Sequence, residues 1–146
     1  MTTQRHALTS TAPGPPPTRL LRGLLAGFAG LVLIAHGLVH LMGTALQWQI
    51  AELGELRYAD AVPLPGSPAG ITAGAVWLAA AVLFLIAGSL LSSGRSTWRR
   101  WAFAGVVASV AVIAPHPGPA VAGLVVDGAV ILLVTATSMA ARRTSR

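Results

Sequence analysis

Residues 24–46 read LLAGFAGLVLIAHGLVHLMGTAL. An α-helix rises about 1.5 Å per residue and the hydrocarbon core of a bilayer is about 30 Å thick, so about 20 mostly apolar residues are needed to cross it. This run meets that requirement, and further apolar runs follow at about 71–91, 98–114 and 119–140. The pattern predicts an all-α chain that crosses the membrane four times as an antiparallel, left-handed up-down bundle. It also predicts one transmembrane domain over residues 19–141, preceded by a disordered cytoplasmic tail over 1–18. That tail ends in Pro13-Gly14-Pro15-Pro16-Pro17 and is too polar to bury a core.

The charges orient the bundle. Nine of the ten arginines flank the expected inner ends of the runs: Arg5, Arg19 and Arg22 before the first, Arg95, Arg99 and Arg100 between the second and third, Arg142, Arg143 and Arg146 after the fourth. Only Arg57 falls in the other long connection, beside Glu52, Glu55 and Asp60. Short basic loops stay in the cytoplasm, so both termini are expected inside. The +6 net charge therefore suits anionic lipid headgroups, and no basic stripe interleaved with aromatics points to nucleic acid. With 54% hydrophobic and 10% charged residues, the chain cannot coat a soluble globule. Arg19, Arg22 and the small residues near Met42–Ala45 have features of a cleaved leader. However, the run exceeds the usual apolar core of about 7–15 residues and holds two histidines, so a retained first span is expected. Cysteine is absent, which excludes disulfides and thiolate-held metal or iron–sulfur centres.

Local punctuation fills in the connections. Trp48 at the end of the first run, and Trp98 and Trp101 around Arg99-Arg100, are expected as interfacial anchors. Ile50, Leu53 and Leu56 among glutamates predict a short amphipathic surface helix over 49–58, with Glu52 and Glu55 solvating its outer face. Pro63, Pro65, Gly66 and Pro68 break the chain before the second span, and 115–119 (PHPGP) forms a tight hairpin. Gly23, Gly27, Gly30 and Gly43 are expected packing positions, where small side chains let another helix approach, either in the bundle or in a second copy. Thr135, Thr137 and Ser138 are expected to bond their own helix backbone.

Three ionisable residues lie inside the apolar runs: His36, His40 and Asp127. Such groups are costly in lipid and face partners or water, which makes them the leading candidates for function. His36 and His40 are spaced i, i+4, on one helix face, and Gly43 and Gln47 continue the stripe. Counted from the outer ends, His40 lies roughly 9 Å deep, His36 one turn deeper and Asp127 roughly 12 Å deep, between them. Ser109 and His116 are expected to border the same pocket. Three readings follow. The acid and a histidine could fix bundle register as polar glue. His36, His40 and Asp127 could ligate a metal, or a histidine could bind haem. The cluster could relay protons or a small solute. No nucleophile–base set or phosphate loop is evident, so the chain is expected not to be an enzyme.

At His36-Gly37-Leu38-Val39-His40-Leu41-Met42-Gly43 the chain resembles a set of small bacterial four-helix membrane proteins with an HGLxHLxG first helix, a proline-containing outer loop and a Trp-bearing second helix, here Trp77. The resemblance covers roughly residues 20–140 and implies a DoxX-like architecture in a bacterial inner membrane. Where those proteins carry a polar residue, usually Asn, early in the last helix, this chain has Asp127. The resemblance and the residues together lead to a non-enzymatic accessory or ligand-binding membrane component. The alternatives are a metal-, haem- or quinone-linked redox or proton-handling protein and a small oligomeric transporter. The lipid bilayer is the first expected partner, then a second copy or another membrane protein.

Overall fold

The protein's computed structural model describes residues 17–52, 56–115 and 121–144. Among them the chain forms four α-helices and no strand: α1 Pro17–Gln47, α2 Pro68–Ser92, α3 Trp98–Ile113 and α4 Val121–Thr144. Three helices are long and apolar enough to cross a membrane, over Arg19–Gln47, Pro68–Ser92 and Val121–Ala140. The expected third span is shorter. α3 has 16 residues, which reach roughly 24 Å, less than the hydrocarbon thickness. α1 in turn starts earlier than the sequence suggested. Pro17 and Thr18, expected in the tail, are helical, because proline's fixed φ and missing N–H suit the first turn of a helix.

α1 and α2 meet through backbone rather than bulk. A methyl group on Gly30 would sit 2.7 Å from the Gly88 carbonyl oxygen, one on Gly88 2.5 Å from that of Gly30, and one on Gly37 2.9 Å from that of Ala81. Gly43 lies under the Trp77 ring in the same way. The contacts ascend α1 as they descend α2. Gly23 and Gly27 behave differently: nothing approaches their Cβ positions within 4 Å. Of the four expected packing glycines, Gly30 and Gly43 are therefore the ones used within the chain. Gly23 lies on an exposed face of α1 and Gly27 is half-buried.

The helix ends follow local rules. Ser67 caps α2 by accepting from the Gly70 N–H at 3.0 Å, with Pro68 in the first turn. α2 closes on Gly94, whose φ of 69° lets its N–H reach the Leu91 carbonyl while that of Arg95 reaches Leu90. α1 ends the same way with a non-glycine residue: Gln49 takes φ 55°, its N–H bonds the Leu46 carbonyl, and that of Ile50 bonds Ala45. This stop removes the expected surface helix over 49–58. The described residues there, 49–52 and 56–58, form no α-helix, and one 3₁₀ turn follows at Tyr58–Asp60; residues 53–55 lie outside the described residues. Glu52 is exposed, as expected, and also accepts from the Tyr58 N–H at 2.8 Å and from Arg57 at 3.4 Å.

A core of Leu33, Phe84, Ala87, Trp98, Ala102, Val106 and Val130 joins all four helices. Trp98 was expected at the interface but is 5% exposed. Its place at the start of α3 turns it inward under α2, while Trp101 faces outward. Trp48 donates its indole N–H to the Ile71 carbonyl at 3.0 Å and covers Gly74. Thr135, Thr137 and Ser138 bond the carbonyls of Ile131, Leu133 and Val134, as their sequence position implied.

Candidate functional site

The i, i+4 spacing brings the two imidazoles of α1 edge to face, with ring centres 4.6 Å apart. His36 Nε2 lies 3.1 Å from Asp127 Oδ1 on α4. His40 Nδ1 lies 2.9 Å from the His36 carbonyl oxygen, and its Nε2 lies 2.9 Å from Ser109 Oγ on α3. These partners assign the protons. A carbonyl only accepts, so His40 Nδ1 carries hydrogen and donates. In the neutral ring Nε2 is then an acceptor, and the Ser109 hydroxyl donates to it. A hydroxyl can also turn and accept, so Ser109 satisfies His40 in either charge state. His36 Nε2–H donates to the Asp127 carboxylate, and the His36 main chain links the two imidazoles.

All four groups are buried: His40 and Asp127 are 1% exposed, Ser109 0% and His36 8%. The walls are aromatic. Phe84 lies edge-on to His36 at 4.7 Å and 5.4 Å from His40, and Trp77 lies 5.3 Å from His40. Gly123, one turn before Asp127, leaves room for the Ile113 side chain, 3.1 Å from its Cβ position, while the His36 ring lies at ordinary contact distance. One polar atom of the cluster has no partner among the described residues: Asp127 Oδ2, which is buried.

The sequence placed Asp127 between the histidines in height. The fold pairs it with His36 and gives His40 to Ser109. His116, the other expected border residue, lies outside the described residues. The expected three-donor metal arrangement is not formed: among the described residues no group of three or more His, Asp or Glu is disposed to hold a metal ion. The physical reason is that both ring nitrogens of His40 are already engaged, one by backbone and one by Ser109. Zinc needs several donors aimed at one point.

Sequence reading missed Thr44, although it continues the same stripe at i+8 from His36. It is 5% exposed, with its hydroxyl near the carbonyls of His40 at 3.5 Å and Gly74 at 3.4 Å. Gln47 completes the stripe, 4% exposed, with its Oε1 unpartnered among the described residues and close to Gly70. A separate open groove of about 640 Å³, lined by Pro63, Pro68, Thr72, Val76, Val112 and Pro115, carries no titratable group among the described residues. No family model matches the chain, no curated protein matches it, and no solved structure matches it.

Proposed function

We propose that this is a small, non-enzymatic membrane protein of DoxX-like architecture. In this reading it spans a bacterial inner membrane four times as an antiparallel bundle, with both ends in the cytoplasm, and its His36/Asp127 and His40/Ser109 pairs form a proton-binding cluster. The arginine distribution supports the threading. α3 is short, but bilayers thin around short segments, and Arg99 and Arg100 at its start reach headgroups along their aliphatic stems. Termini on opposite sides of the membrane, read by tag accessibility, would reduce the count to three spans.

The observation that carries the functional reading is the Asp127 carboxylate, 1% exposed inside an apolar helix and 3.1 Å from an imidazole. If helix register were all that was required, a neutral amide would supply it at a smaller desolvation cost. A carboxylate–imidazole pair adds a group whose charge follows proton supply. The test is solid-state NMR of ¹⁵N-histidine-labelled protein in lipid, titrated from about pH 5 to about pH 8, where imidazoles ordinarily change charge. Protonation of at least one imidazole, altered by Asp127→Asn, is expected. Rings that hold one state throughout would leave only the register role. That second reading has an observation of its own: α4 exposes most of its surface, and Asp127–His36 is its one side-chain hydrogen bond to another helix among the described residues. The outward face of α4 is the place for a second copy or another membrane protein.

A further inference from the structure

Six polar or charged side chains are buried among the described residues: His36, His40, Thr44, Gln47, Ser109 and Asp127. Their distribution is one-sided. Gln47, Thr44, His40 and His36 descend α1 turn by turn from the loop that joins α1 to α2, and Ser109 and Asp127 join at the level of the histidines. One turn beyond, toward the end where the α2–α3 connection lies, the buried side chains among the described residues are apolar: Leu33 below His36, Val130 below Asp127, then Ala87, Trp98, Ala102 and Val106, with Phe84 bridging from the level of the histidines. The file also has, among the described residues, an unpartnered acceptor at each end, Gln47 Oε1 at the top and Asp127 Oδ2 at the base. Buried acceptors need donors, and water is the smallest donor that also passes protons on.

We propose that the file Gln47–Thr44–His40–His36–Asp127 is a one-sided, hydrated proton path, open at the α1–α2 loop and sealed toward the termini by the apolar cluster. The proposal rests on the proton-binding reading above and adds its direction. Its first stop is His40. A proton arriving past Gln47 and Thr44 binds His40 Nε2, and the Ser109 hydroxyl turns from donor to acceptor. No bond between heavy atoms changes, and the charge gained is the proton's own. Among the described residues the titratable groups within reach are His36 and His40 on α1 and Asp127 on α4. α2 contributes Trp77 and Phe84 and α3 contributes Ser109, none of which titrates in this range. The backbone is crowded at this end, where the Cβ position of Gly70 has both Gln47 Oε1 and the Leu64 carbonyl against it, so the path suits water-sized species.

Trp77 supplies the readout, since its ring lies 5.3 Å from His40 and an imidazolium quenches indole emission. The full chain carrying Trp48→Phe, Trp98→Phe and Trp101→Phe is placed in vesicles of one orientation, and pH is stepped on either side by rapid mixing. A fast drop in emission on acidifying the loop side is expected, with a response at least tenfold slower on acidifying the terminal side. Thr44→Leu should slow the fast phase while leaving the equilibrium titration, measured with a proton ionophore, in place. Equal responses from both sides, or a fast response from the terminal side, overturn the one-sided path and leave proton binding standing. An emission that does not titrate even with the ionophore, or that titrates unchanged in His40→Ala, removes His40 as the proton's stop and the path with it.

Discussion

The α1–α2 contact and the seat of α4 use opposite chemistry. Between α1 and α2, glycines at 30, 37, 43 and 88 let backbones and one indole come together, and no side-chain pair is needed. α4 presents Val125 and Leu132 outward at 73% and 72% exposure, and a polar contact, Asp127 to His36, ties it to α1. Within lipid there is no hydrophobic drive between helices, so association rests on close packing or on polar contacts. The difference teaches that this chain uses the first to fix a pair and the second to hold a helix that packs loosely. A loosely packed helix bearing the only buried acid among the described residues is also the element best able to respond when that acid changes partner.

The sharpest way to break the comparison is steric. Gly88→Leu places a side chain where a single methyl group already lies 2.5 Å from the Gly30 carbonyl. A loss of about 3 kcal/mol, the upper range for overpacking, is expected by unfolding in bicelles. Gly23→Leu, at a position with open space, should lie within about 0.5 kcal/mol of the parent. Equal losses at both sites would mean that α1 packs differently.

Next in size is the polar tie. A double-mutant cycle of His36→Ala with Asp127→Asn should give a coupling of about 0.6–1.7 kcal/mol, between the average and the maximum measured for interhelical polar contacts in membranes. The His40/Asp127 cycle should give less than about half of that. The reverse ranking would assign the acid to the other imidazole. Ser109→Ala, which strips the neutral His40 of its donor, should cost about 1 kcal/mol. The same variant should also shift the His40 ¹⁵N resonances, a readout that loss of packing alone would not produce.

The residues explain how far sequence alone could reach. Ionisable side chains stand out in an apolar run, so His36, His40 and Asp127 could be found directly. A fixed rise per residue put them at one depth. The choice of partner depended on how α4 rotates about its axis, and helical rise carries no information on that. Ser109 was legible because α3 had to pass the same level, whereas Thr44 was hidden among small residues despite its i+8 spacing. Gly23/Gly27 and Gly30/Gly88 look alike as small-residue positions; only the crossing point of the two helices separates them. The surface helix over 49–58 failed for a local reason. Gln49 in the left-handed region stops α1 and redirects the chain, a conformation that glutamine does not announce.

The smallest expected effect bears on what covers α4. Gly128 has no atom within 4 Å of its Cβ position and lies on the outward face, one turn from Val125 and Leu132. In a helix interior, replacing such a glycine by alanine restricts the unfolded chain and fills no occupied space, so Gly128→Ala should stabilise by roughly 0.4–1 kcal/mol. That expectation holds if lipid alone faces α4, because acyl chains yield to a methyl group. Measured in bicelles at increasing protein-to-lipid ratio, the gain should stay constant. A gain that turns into a loss as the protein becomes crowded would mean that a second copy packs its backbone against Gly128. α4 would then be fixed by close approach after all, in the manner of α1 on α2, and the contrast between the two regions would belong to the isolated chain rather than to the assembled protein.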